Sequence, residues 1–156
     1  MTSPIHVFLA EDNRADVSWV NEALSFHELV YQLYVAEDCE EAIRFLEAVG
    51  KPGEPPRPNV ALLDLNLPKG SGHELLQAIR SHPICAQVPV IIVTSSGAPQ
   101  DRGRAAQLGA DRYFRKPAEL DEFMELGAIV RELIRRPDEE SEMSNIATSE
   151  RERQPR

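Results

Sequence analysis

The sequence predicts an α/β fold: a doubly wound, five-stranded parallel sheet covered by five helices. Three observations carry this. Short apolar runs alternate with segments of helical period five times along the chain. Several of these runs are continuously apolar, as expected of strands buried on both faces. Each of the central ones stops abruptly at an acidic, hydroxylated or small residue.

Ile5 to Ala10 is β-branched and apolar and ends at Glu11-Asp12-Asn13, which reads as a buried strand closed by an acidic pair. Asn13 or Asp12 can cap a helix over about Arg14–Ser25, where Val17, Val20 and Leu24 recur at helical spacing and Trp19 is a packing residue. Tyr31–Ala36 is the second strand, and Asp38 can cap a helix over about Cys39–Val49. Gly50 to Pro58 holds four prolines in nine residues, which excludes helix and sheet interior and makes a surface loop. Asn59 to Leu63 then runs into Asp64, followed by Leu65-Asn66-Leu67-Pro68-Lys69-Gly70-Ser71-Gly72. That is a strand, a turn-rich loop and then a helix over Gly72–Ser81. Pro89–Thr94 is the fourth strand, with small residues after it and a helix over Gln100–Leu108 stopped by Gly109. Asp111–Arg115 is a short fifth strand entering Lys116-Pro117, and the last helix spans Glu119–Arg135. Residues 1–136 form the domain. Residues 137–156 are polar and acidic, too poor in apolar side chains to repay ordering, and are expected to be disordered.

Right-handed crossovers give a flavodoxin-like strand order of 2-1-3-4-5. Strands 1, 3 and 4 are then central neighbours, and their carboxyl ends bring Glu11-Asp12, Asp64 and Thr94 to one edge, with Lys116 beside them. Ligands bind at that edge in open α/β sheets. Three carboxylates held together repel unless a cation intervenes, and Mg²⁺, an oxygen-seeking ion that keeps several waters, suits a site of few carboxylates. With a lysine ammonium and a threonine hydroxyl added, the edge can hold the three non-bridging oxygens of a phosphoryl group on Asp64.

The chain has 156 residues, 42% hydrophobic and 28% charged, which suits a single globular domain. Its net charge of −9 argues against nucleic acid or an anionic membrane as the main partner. No apolar run is long enough to cross a bilayer, and the N-terminus has no signal-peptide pattern. Cys39 and Cys85 show no metal-ligand spacing and are expected to be reduced and packed in a cytoplasmic protein. His6, His27, His73 and His82 show no triad or ligand spacing, so structural or surface roles are expected.

The motifs Ala10-Glu11-Asp12-Asn13, Leu62-Leu63-Asp64-Leu65-Asn66-Leu67-Pro68-x-Gly70-x-Gly72, Ile92-Val93-Thr94-Ser95 and Arg115-Lys116-Pro117 resemble, in order, the four signatures of response-regulator receiver domains. The resemblance covers about Pro4 to Arg135. It implies that Asp64 is the phospho-acceptor of a sensor histidine kinase. Asp12 would be a direct Mg²⁺ ligand, Glu11 a second acidic contributor, and Asn66 the donor of a backbone carbonyl. Thr94, Ser95 and Lys116 would bind phosphate, with Ser95 small enough to leave the approach open. Thr94 and Tyr113 would form the switch, and the Lys116–Pro117 bond is a candidate cis peptide. Switching would change the face made by the fourth helix, fifth strand and last helix. Such a domain accepts phosphate and can catalyse its own phosphorylation and dephosphorylation, with no separate substrate turned over. The segment Glu11-Asp12-Asn13-x-Ala15-Asp16-Val17, the Pro-rich loop and Arg57-Pro58-Asn59 are similar to phytochrome-associated single-domain regulators. That narrower resemblance implies a bacteriophytochrome-type kinase as partner and homodimers.

On the last helix, Leu120, Phe123, Met124, Val130 and Ile134 form one stripe for the core. Leu126, Ile129 and Leu133 form a second stripe, read either as part of a wide core face or as a homodimer interface. Three other functions compete. A haloacid-dehalogenase-type phosphatase wants a second Asp where Asn66 stands, and a flavin module wants a phosphate loop where Glu11-Asp12 would repel it. A phosphorylation-independent pseudo-receiver would not need every site position filled.

Overall fold

The computed structural model describes residues 3–134. The proposed tail, the end of the domain at residue 136 and the last residue of the predicted final helix lie outside them. Five parallel strands, β1 (Ile5–Ala10), β2 (Tyr31–Ala36), β3 (Val60–Leu63), β4 (Val90–Thr94) and β5 (Arg112–Arg115), form one sheet in the order β2-β1-β3-β4-β5. Between them run α1 (Arg14–Phe26), α2 (Cys39–Ala48), α3 (Gly72–Ser81) and α4 (Pro99–Gln107). The fifth helix is divided into α5 (Leu120–Phe123) and α6 (Glu125–Leu133).

Alternation along β1 sends Phe8 and Ala10 to one face of the sheet and Val7 and Leu9 to the other. The first face is covered by α2, α3 and α4 through Leu46, Leu75, Leu76, Ile79 and Ala105. The second is covered by α1, α5 and α6 through Val20, Leu24, Phe123, Leu126 and Val130. Residues of β3 and β4 are buried throughout, as their unbroken apolar runs require.

Local chemistry sets the helix ends. The Asn13, Asp38 and Ser71 side chains accept from backbone N–H groups three residues on and so cap α1, α2 and α3. Gly109, at φ 97°, ends α4 while Ala110 N donates back to Ala105 O at 3.0 Å. Trp19 meets Phe123 edge-on at 5.3 Å, so it packs as expected. The four histidines all have structural partners: Tyr34 for His6, Met124 O for His27, Asp101 O for His73, and the Ile84 and Cys85 amides for His82. Cys39 and Cys85 are free and buried, and burial raises both thiols.

Two expectations are corrected. Leu126 is fully buried in this chain's own core, so it cannot serve a dimer interface. The helix that carries it is covered on two sides, by the sheet and by α1, which comes so close that a Cβ on Gly127 would lie 2.2 Å from Ala23 O. Ile129 and Leu133 are half-buried against the same cluster. The Lys116–Pro117 bond is trans, as are all peptide bonds among the described residues.

Candidate functional site: an acidic edge closed by Lys116

The strand ladders carry the site residues past their last paired positions. Glu11 N donates to Ala36 O at 3.0 Å, Asp64 N to Ala10 O at 3.0 Å and Lys116 N to Thr94 O at 2.7 Å. Glu11, Asp64 and Lys116 are therefore each the first residue beyond a strand, held by a backbone bond to the neighbouring strand. The loop after Asp64 folds back over it. Lys69 and Gly70 take positive φ (62° and 151°), and Gly72 N donates to Leu65 O at 3.0 Å. A Cβ on Gly72 would lie 2.2 Å from Asp64 O, so only glycine lets α3 start against that backbone.

Glu11, Asp12 and Asp64 each present a carboxylate oxygen, all within 4.8 Å of one another. Glu11 and Asp64 are buried and Asp12 is exposed. The donors are all hard oxygens and one is open to water, which fits a divalent cation that retains part of its hydration. Asn66, exposed two residues beyond Asp64, donates its backbone N–H to Asp64 Oδ1 at 3.1 Å.

Lys116 reaches into this group from the end of β5. Its Nζ lies 2.6 Å from Glu11 Oε1, 2.8 Å from Asp64 Oδ2 and 2.7 Å from Asp16 Oδ2. Burial alone would lower this ammonium, but the bonds to Asp16, Asp64 and Glu11 outweigh it and hold Lys116 above the ordinary lysine value. Burial pushes the Glu11 carboxyl up to about 7, against the bond from Lys116 and with the charge of Asp64. Asp16 has no place in the site expected from the motifs. In the sequence it shows only as an acidic residue in the first turn of α1, four residues after Asp12.

Thr94 is wholly buried at the end of β4, and its Oγ1 accepts from Ser96 N at 3.4 Å. Ser95 is exposed on the loop between them. Ser96 Oγ is 2.5 Å from Asp101 Oδ2, and Tyr113 Oη donates to Ser96 O at 2.8 Å. The structure thus brings Glu11, Asp12, Asp64, Thr94 and Lys116 to one edge, with Tyr113 tied to the loop after β4.

The family model of the response regulator receiver domain matches residues 7–127. The chain belongs to that family. This receiver is 33% identical over 123 residues to response regulator Rcp1 of Synechocystis sp., covering 79% of this chain and 84% of that protein. Among solved structures it resembles the phosphorylated cyanobacterial phytochrome response regulator RcpA, with TM-score 0.76 and 31% identity over 85% of this chain and 94% of the other. The Mn²⁺-bound form of Rcp1 matches at TM-score 0.72 and 33% identity, covering 81% and 91% of the two chains. The bacteriophytochrome response regulator RtBRR matches at TM-score 0.68 and 32% identity, covering 82% and 78%. Receivers of this family are signalling modules. No helix among the described residues is long and apolar enough to cross a membrane.

Proposed function

We propose that this receiver accepts a phosphoryl group on Asp64 from the phosphohistidine of a sensor histidine kinase. The observation that carries it is the buried Asp64 carboxylate, 2.8 Å from the Lys116 ammonium and beside the acidic pair Glu11-Asp12. An Asp64 oxygen attacks phosphorus, the P–N bond breaks, and the kinase imidazole leaves with the electron pair. Lys116, the Thr94 hydroxyl and the amide of Ser95 neutralise charge on the transferred oxygens. Glu11, Asp12, Asp64 and the Asn66 carbonyl would hold Mg²⁺, which supplies positive charge against the entering phosphoryl group. The chemistry stays on this chain's own Asp64, with no other substrate turned over.

A phosphoryl group adds about −1.5 to −2 charges to the edge. Thr94 moves to meet it, and Tyr113, bound to the loop after β4, shifts with that loop. The surface of α4, β5 and α6 then differs between the two states. The kinase we propose is of the phytochrome type, on the strength of the likeness to RcpA, Rcp1 and RtBRR, and it acts in the cytoplasm.

Incubation with acetyl phosphate and Mg²⁺ is expected to add one phosphoryl group to the intact mass, and EDTA or Asp64→Asn to prevent it. Full labelling of Asp64→Asn would overturn the assignment.

A further inference from the structure

We propose that Asp16 is a positioning residue that holds one donor of the Lys116 ammonium and so limits how tightly the site grips a phosphoryl group. This rests on the reading of Asp64 as the acceptor and extends it to the strength of the phosphorylated state.

An ammonium has three N–H donors. In Lys116 all three have carboxylate partners, at 2.6 Å (Glu11), 2.7 Å (Asp16) and 2.8 Å (Asp64). Glu11 and Asp64 also belong to the cluster suited to a cation, and Asp16 does not. Among the described contacts, the Asp16 carboxylate bonds to nothing but Lys116.

Asp16 is also held in place. It sits in the first turn of α1, where its own N–H donates to the capping Asn13 Oδ1 at 3.1 Å. A carboxylate there is favoured by the partial positive charge of the helix start. The result is a fixed anion on a helix, opposite the strand-end anions, with the ammonium between.

Charge and donor count both follow. With Glu11, Asp12 and Asp64 ionised, Lys116 and a divalent cation balance the edge, and Asp16 adds one formal negative charge. A phosphoryl group entering that edge meets this extra charge and competes with Asp16 for Lys116. Removing the charge while keeping the side-chain shape leaves only a neutral amide oxygen, a weaker acceptor, so the Lys116 N–H yields more readily to the phosphoryl oxygens, and removing the side chain altogether frees it. A purely structural Asp16, serving only to tie α1 to β5, has the opposite consequence. Its loss would loosen Lys116 and weaken the hold on the phosphoryl group.

The test is a calorimetric titration of the full chain with beryllofluoride, a phosphoryl mimic, at saturating Mg²⁺. Asp16→Asn is expected to bind it about tenfold more tightly, the coupling of a partly exposed charge to a buried neighbour. Asp16→Ala should shift the same way, and Asp16→Glu should return toward the parent. After labelling by acetyl phosphate, Asp16→Asn should also lose its phosphoryl group more slowly. That loss is attack of water on phosphorus, with the P–O bond breaking to return the Asp64 carboxylate and release inorganic phosphate. Unchanged or weaker beryllofluoride binding in folded Asp16→Asn and Asp16→Ala overturns the proposal. If the parent chain binds no better than Asp64→Asn, the acceptor reading falls and this one with it.

Discussion

The phenol of Tyr113 donates a 2.8 Å hydrogen bond to the carbonyl of Ser96, tying β5 to the loop that leaves β4. Arg102 of α4 lies over the same ring at 4.4 Å, so the ring is held by a bond at its tip and a cation on its face. Tyr113→Phe keeps the ring and loses the bond. It should lower stability by about 1 kcal/mol and speed amide exchange across Ser95 to Ala98. Unaltered exchange in that loop would show that the bond does not hold it.

Two glycines in helices should respond in opposite directions to the same substitution. Gly127 faces α1, where a new Cβ would meet Ala23 O at 2.2 Å and His27 Cδ2 at 2.5 Å. Gly103 in α4 has open space around it. Gly127→Ala should therefore destabilise by about 1–3 kcal/mol through forced separation of α1 and α6. Gly103→Ala should stabilise by about 0.5–1 kcal/mol by restricting the unfolded chain. Urea unfolding of the two variants reads both signs.

Leu126 and Leu133 separate core from surface on the last helix. Leu126→Ala leaves a hole between α6, α1 and the sheet and should cost about 2–5 kcal/mol, equally at low and high protein concentration. A homodimer through this helix would have to use Ile129 and Leu133, and Leu133→Glu should then lower the mass seen by light scattering. A concentration-dependent effect of Leu126→Ala would return that residue to an interface.

The strands and the edge they create were legible because their signal is local. A buried parallel strand is a continuous apolar run, and the first polar residue after it marks its end, as with Glu11 and Asp64. Strand order followed from crossover handedness together with the flavodoxin-like doubly wound pattern, so these residues could be brought together before any distance was known. What depends on helices meeting helices was not legible. His27 sends Nε2 to Met124 O at 2.9 Å, and Gly127 N takes the same carbonyl at 3.1 Å, which interrupts the last helix between α5 and α6. Periodicity placed Leu126 on a second stripe, since nothing in the pattern says that α1 closes onto Gly127. Asp16 looked like any acidic residue in a first helical turn. Only the reach of Lys116 from the far end of the chain gives it a role.

The metal-free protein should lose stability as pH rises, and Glu11 is the reason. Its carboxyl is raised from an ordinary 4.5 to about 7 in the fold, chiefly by burial. Between those values the folded chain binds a proton that the unfolded chain has released, so stability falls with increasing pH. The contribution is complete below about pH 4.5 and is lost as pH passes about 7. Its size is at most about 3 kcal/mol. Urea unfolding in EDTA at pH 5 and pH 7.5 should show the decline. Glu11→Gln, which has no proton to lose, should show less of it. Added Mg²⁺ should restore stability at pH 7.5 because a cation favours the ionised carboxylate. Equal pH slopes for the parent and Glu11→Gln would assign the decline to other groups.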